Sequence, residues 1–310
     1  MQRAGHAVLF GGSSPLMSEQ SKVGHLGIVR LYYTLGEKFT DKLETKALRE
    51  GSTLLVSLDA KPGSGVTYAS IISGQHDHMI TGFLTQVERA AVQYKVPAIY
   101  VAFEHEANSP PHRQLGTPAQ FVAAYNHVHA LAARAGLNWN DGGRLHWALI
   151  LEHIAYFPAP QRPNYTMPQG FSSQFWPGND VNVVAADGYN HAGCKQSNNS
   201  QFLAKSDAVS TPAELFDPVI SFAQSHGNLP VMIAEWGSVS YSNPAIRPEF
   251  IQDMQRFVLA HPDIKGVSYW DSSGGLPGRG STLACNMSVN HDQRSLNALA
   301  AMNRALQAAQ

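Results

Sequence analysis

Short apolar runs, separated by polar stretches with helical spacing, recur along the whole chain. Eight have the length and β-branched character of strands: Ala7–Phe10, Leu26–Tyr33, Thr53–Leu58, Ala98–Phe103, Leu145–Glu152, Val181–Ala186, Val231–Ala234 and Gly266–Tyr269. Several are almost continuously apolar, the pattern of parallel strands covered on both faces. The helices between them have legible ends. Thr117-Pro118-Ala119-Gln120 combines an N-cap, a proline in the first turn and a capping-box glutamine, and Phe121, Ala124, Val128 and Leu131 follow at helical spacing up to Gly136. The same grammar recurs from Thr211-Pro212-Ala213-Glu214 through Leu215, Val219 and Phe222 to Gly227. Helices are also predicted over Asp41–Glu50, His78–Lys95, Glu249–Leu259 and Ser295–Ala309. Gly11–Ser21 has no amphipathic period and predicts a loop or a short helical turn, and the Pro- and aromatic-rich Phe157–Asp180 predicts a long functional loop. Eight βα repeats predict an α/β fold, a (β/α)8 TIM barrel filling residues 1–310 as a single domain, with an open doubly wound sheet as the alternative.

Composition narrows the partners. The chain has 310 residues, 44% hydrophobic, enough to close one large core. A net charge of −1 with only 15% charged residues offers no basic face to nucleic acid or an anionic membrane. No apolar run approaches the roughly 18 residues of a membrane span. The two cysteines, Cys194 and Cys285, are too few for a disulfide scaffold and wrongly spaced for a zinc knuckle. On the barrel reading they fall after the sixth and eighth strands, and their pairing stays open. The pairs His76/His78 and His127/His129 raise the question of a metal. Neither stands at the carboxyl end of a strand, and His127 and His129 turn to different faces of their helix, so no metal and no cofactor is expected.

Reactive groups of such barrels sit where strands end. The fourth strand ends in Glu104-His105-Glu106-Ala107-Asn108, the fifth in Glu152-His153, the sixth in Asp187-Gly188-Tyr189-Asn190-His191, the seventh in Glu235-Trp236-Gly237 and the eighth in Trp270-Asp271. Glutamates ending the fourth and seventh strands face each other across the mouth. Glycosidic cleavage needs such a pair, one carboxyl protonated beside the leaving oxygen and one ionised under the anomeric carbon, about 5–5.5 Å apart in the retaining case. Strand alternation puts Glu104 and Glu106 on one face, so residue types alone leave both as candidates for the acid.

Taken together, HEAN at His105–Asn108, AEWG around Glu235, DGY at Asp187–Tyr189 and SGQHDHMI at Ser73–Ile80 resemble glycoside hydrolase family 26. The order and spacing of these motifs match from about the second strand to the eighth. The resemblance implies a (β/α)8 barrel acting on a polysaccharide or oligosaccharide, most familiarly as an endo-β-1,4-mannanase. It makes Glu106 the acid/base, Glu235 the nucleophile and His105 a hydrogen-bonding neighbour of the cleaved sugar. Tyr189 becomes a partner of the nucleophile and Trp270 the aromatic floor. It leaves Glu104 as a supporting carboxylate, with Asn108, Glu152 and His191 as further substrate-binding candidates. Trp176 and Trp236 are candidate sugar platforms, Trp176 in a loop walling the cleft, while Trp139 and Trp147 read as packing residues.

Two departures from the family pattern bear on specificity. Ala102 stands where an arginine usually precedes the acid/base by four residues, and Ser109-Pro110-Pro111-His112 replaces the usual tryptophans. A guanidinium near the carboxylates is therefore expected to be missing, and a preference other than plain β-1,4-mannan follows from that. A monomer is expected. Compartment stays open, with an extracellular setting suggested by the substrate class. The competing readings are a non-catalytic carbohydrate-binding barrel and a metal-dependent barrel hydrolase.

Overall fold

The computed structural model describes residues 8–39, 43–158, 171–190, 209–241, 243–272 and 286–309. Eight parallel strands close into a barrel in sequence order: β1 (Leu9–Ser13), β2 (Ile28–Thr34), β3 (Thr53–Asp59), β4 (Ile99–Phe103), β5 (Leu145–Glu152), β6 (Val183–Asn190), β7 (Val231–Ser238) and β8 (Ile264–Tyr269). Around it lie α1 (Gln20–Val23), α2 (Leu43–Arg49), α3 (Tyr68–Ile72), α4 (Asp77–Gln93), α5 (Pro118–Arg134), α6 (Pro212–Ser225), α7 (Ile246–Ala260) and α8 (Gln293–Ala308). The (β/α)8 TIM barrel expected from the eight βα repeats is the observed fold. No helix among the described residues is long and apolar enough to cross a membrane.

The caps form as their sequences dictate. Thr117 accepts from the Gln120 amide at 3.3 Å while Gln120 returns the bond to the Thr117 amide at 2.9 Å, and Thr211 and Glu214 repeat the exchange. Three strands run well past their predicted ends, the sixth to Asn190, the seventh to Ser238 and the first to Ser13. The first shows why. Instead of ending at Phe10 it runs through Gly11 and Gly12, because the barrel wall there has no room for a side chain: a Cβ on Gly11 would lie 1.7 Å from the Ile28 carbonyl oxygen. The rest of the expected loop is a short 3-10 turn, Ser14–Glu19, followed by α1. Of Phe157–Asp180, residues 159–170 lie outside the described residues, and Ser172–Phe175 and Gly178–Asp180 form 3-10 turns.

Two cores result. Between strands and helices lies the large apolar layer, including Val29, Leu54, Phe121, Trp147, Phe216 and Leu299. Inside the barrel the packing is by small and medium side chains, Ile28, Leu55, Ala102, Ala148, Ile150, Val183, Ala185, Met232 and Ala234. Continuing these inward-facing positions toward the strand ends gives Arg30 and Tyr32 on β2, Asp59 on β3, Glu152 on β5, and Asp187 and Tyr189 on β6. The barrel interior thus changes from apolar to ionisable toward the carboxyl ends of these strands.

Candidate active site

A register break sets the seventh strand. Ala186 pairs with Ile233, but Asp187 pairs with Glu235, so Ala234 is a bulged extra residue. Strict alternation would turn Glu235 out toward the helices and Trp236 in. The bulge reverses this: Ala234 packs in the barrel interior, and the Trp236 ring packs outward against Phe250 of α7 and Tyr269, 6.3 and 5.1 Å between centroids. Glu235 is left at the mouth in one row with Asp187 and Glu152, its in-register neighbours.

Glu235 is 4% exposed and tightly held. Tyr32 donates its hydroxyl to Oε1 at 2.5 Å, Tyr189 donates to Oε2, and Nη2 of Arg30 lies 3.7 Å from Oε1. Arg30 is fully buried, with its guanidinium 4.4 Å from the Tyr32 ring centre. Burial disfavours its charge, but Tyr32, Glu235, Asp187 and Asp59 around it hold the charge in place. The expectation drawn from Ala102, that no guanidinium serves the carboxylates, is corrected here. Arg30 supplies it from β2 instead of β4, and the argument from Ala102 against plain mannan falls with it.

Glu106 is built on an unusual turn. Glu104 and Glu106 both adopt left-handed backbone, φ 55° and 52°, where non-glycine residues are uncommon. The Glu106 amide donates to the Ile150 carbonyl at 2.9 Å, tying the turn to β5. Burial pushes the Glu106 carboxyl up to about 8, and the Glu235 charge adds to that against the opposing pull of His105. Glu106 therefore carries a proton at neutral pH. His105 donates its backbone N–H to Asp59 Oδ1 at 3.0 Å and its ring Nδ1 lies 2.8 Å from Oδ2. Burial opposes charge on that ring, yet Asp59 leaves its pKa above the usual imidazole value.

Three further carboxyls surround this pair. Glu152 is bound by Asn108, whose Nδ2 donates at 3.1 Å while the Glu152 amide donates to Asn108 Oδ1 at 2.9 Å, and burial raises its pKa. Asp187 is 1% exposed and neither of its oxygens has a hydrogen-bond partner among the described residues; burial, then Glu235 and Glu106, push it well above the carboxylate range. Glu104 is fully buried and turned away from the opening, accepting from the Ala60 amide. That excludes it as a direct sugar contact.

The tertiary structure brings together Glu106, Glu235, His105, Asn108, Glu152, Tyr189 and Trp270, whose ring meets Tyr32 edge-on at 5.6 Å. It does not bring Trp236, which is core, nor Trp176. The Trp176 ring packs on Phe222 and His226 at the end of α6, centroids 5.6 and 4.6 Å away, toward the amino-terminal end of the barrel. The platform role expected for both is corrected: the β7 bulge turns Trp236 outward, and Trp176 packs on the helix layer instead of the mouth. Trp176→Ala is expected to cost about 2–3 kcal/mol of stability in denaturant unfolding and to leave ligand affinity at the mouth unchanged. Trp147 is buried with Nε1 donating to Asn138 at 2.8 Å, whereas Trp139, read as packing, is 52% exposed with one face on His146. His191, Cys194 and Cys285 lie outside the described residues. The histidine pairs form local contacts: His76 with Ser70 at 2.9 Å and His127 with Asp77 at 2.7 Å.

Arg30, Tyr32 and Asp59 were missed as site residues by the sequence reading. A signal existed, since an arginine and a tyrosine two apart within the apolar run Ile28–Tyr33 share one strand face.

No family model matches the chain, and no curated protein matches it in sequence. Solved structures share the fold at low identity. One is a GH26 β-mannanase from Bacteroides ovatus, 14% identical, covering 97% of this chain and 90% of that one, with a TM-score of 0.63. Fungal β-1,4-galactanases match at 12% identity, 96% and 99% coverage and a TM-score of 0.60. A GH5-4 broad-specificity endoglucanase from Clostridium longisporum matches at 16% identity, 96% and 86% coverage and a TM-score of 0.60. What this chain shares with all three is the barrel.

Proposed function

We propose that the chain is a retaining glycoside hydrolase that cleaves internal bonds of a β-linked polysaccharide, with Glu106 as acid/base and Glu235 as nucleophile. One observation carries the reading: two neighbouring carboxyls at the mouth have environments that divide their roles. Glu106 is held neutral by burial and by Glu235, while Glu235 is gripped by two phenol hydroxyls and faces a buried guanidinium. The likeness to barrels whose names record mannanase, galactanase and endoglucanase activity supports the substrate class.

In the first step Glu106 gives its proton to the glycosidic oxygen as a Glu235 oxygen attacks the anomeric carbon. The C–O bond to the leaving sugar breaks and a glycosyl ester forms. Esterification removes the Glu235 charge, one of the causes that holds the Glu106 proton in place, so the pKa of Glu106 falls. The ionised Glu106 then takes a proton from water, whose oxygen displaces Glu235 with net retention. Arg30 and Tyr32 stay with the nucleophile throughout, and His105, fixed by Asp59, stands beside the acid.

The test is incubation with mannans, galactans, xylans and β-glucans, with product sizes and anomeric configuration read by chromatography and NMR. Internal cleavage with retention is expected on at least one of them, unaffected by chelator. Binding without products would favour the carbohydrate-binding reading, and activity abolished by chelator would favour the metal-dependent one.

A further inference from the structure

Behind the acid/base lies a buried polar group that the cleavage reaction does not use. Glu104 has no exposed surface, and its two oxygens meet different fates. Oε1 accepts the Ala60 amide just beyond β3. Oε2 has no hydrogen-bond partner among the described residues and faces Nε2 of His112 across 3.6 Å. An ionised carboxylate left in that state would carry a desolvation penalty of several kcal/mol.

The histidine resolves the proton count. Its Nδ1 lies 2.7 Å from the backbone carbonyl oxygen of Glu106, and a carbonyl only accepts, so Nδ1 carries hydrogen. Ser109 shares that nitrogen at 2.9 Å, and the Ser109 amide also donates to the Glu106 carbonyl at 2.7 Å. Burial lowers the His112 pKa, so the ring is neutral and Nε2 presents a lone pair. A lone pair facing Oε2 calls for an O–H there. The charged and titratable neighbours agree: Asp59 at the end of β3 repels a Glu104 charge, His105 is committed to Asp59, and the nearby Tyr68 hydroxyl of α3 brings no positive charge. Closing 3.6 Å to hydrogen-bond distance takes well under 1 Å of side-chain movement.

We infer that Glu104 is a positioning residue for Glu106: as a neutral carboxylic acid it donates to His112 Nε2, fixing the tautomer whose Nδ1–H holds the Glu106 carbonyl and with it the left-handed turn. The chain is continuous from Ala60 through Glu104 and His112 to Glu106. It rests on the acid/base reading of Glu106 and adds a cause for that residue's orientation. A residue at 104 without a donor would leave His112 free to flip and the turn, already strained by two positive φ angles, free to relax.

The experiment compares Glu104→Gln, Glu104→Ala and His112→Ala in kinetics and in ¹⁵N NMR of the His112 ring. Glutamine keeps both an acceptor for Ala60 and a donor for Nε2. It is expected within about threefold of wild-type kcat, while Glu104→Ala loses about 10–100-fold in kcat with KM within about twofold, the loss typical of a displaced catalytic group. His112→Ala should lose as much, and the double variant no more than either alone. The NMR should show a neutral Nδ1–H ring in wild type and Glu104→Gln. Glutamine falling as far as alanine would overturn the inference, as would an unimpaired Glu104→Ala or an Nε2–H ring in wild type. Should Glu104→Ala not fold, the glutamine kinetics and the wild-type tautomer decide. Should wild type cleave no glycan, the proposed function fails, and the ring tautomer still decides the role of Glu104.

Discussion

Glu235→Ala is expected to lower kcat on the best glycan at least about 10⁴-fold, the scale seen when a covalent nucleophile is removed. The neighbouring carboxyls are poor replacements. The variant removes the Glu235 charge that helps raise Asp187 on β6, but burial, the largest cause, remains, and Glu152 is committed to Asn108. The truncation opens a space under the anomeric carbon lined by Tyr32, Tyr189 and Arg30. Azide entering that space should restore turnover and yield a glycosyl azide of inverted configuration, detected by NMR. Retained hydrolysis without azide would remove Glu235 from the role of nucleophile.

Glu106→Ala should split by leaving group. On polysaccharide, whose departing sugar needs a proton, the loss is expected at about 10²–10⁴-fold. On a dinitrophenyl glycoside, which departs without one, the first step should survive and the glycosyl–enzyme should accumulate as a burst. The pH profile carries the same signature. Glu106 must hold its proton, and its pKa is pushed up to about 8, so kcat/KM should be present below that value and fall as pH rises through it. The alkaline limb should vanish in Glu106→Ala with the dinitrophenyl substrate.

Stability follows with the same sign. The folded value lies above the ordinary 4.5, so the group's contribution is fully present below about pH 4.5 and is lost as pH rises through about 8. Wild-type Tm should therefore drop between those limits more than the Tm of Glu106→Gln. Equal slopes in calorimetry would mean that Glu106 is not buried among charges as described.

The barrel was legible because its evidence is local. Apolar runs of strand length, capping boxes at Thr117 and Thr211 and a regular βα alternation each follow from nearest-neighbour physics, and they sum to one topology. Glu106 and Glu235 were legible as candidates for the same reason, since a polar residue following an apolar run marks the mouth. Tyr189 and Trp270 followed from the motifs around them.

What failed depended on contacts far apart in the chain. Trp236 was read by its place beside Glu235, but a single bulged residue, Ala234, set by pairing with β6, decides which of the two faces inward. Trp176 was read by composition, yet its partners Phe222 and His226 arrive from α6 some 45 residues later. The guanidinium was sought four residues before Glu106 and came from Arg30, more than 70 residues earlier, because closure of the barrel sets β2 across from β7.

The sequence by itself determined the barrel and marked the polar residues that follow its apolar runs, Glu106 and Glu235 among them, since periodicity and capping act within a few residues. Only the tertiary structure showed how two carboxyls that alternation leaves alike come to different surroundings. Glu104 and Glu106 are equivalent by alternation, and two left-handed residues in one turn separate them. One is sent to β3 and His112, the other to the mouth, where burial and the Glu235 charge keep its proton on.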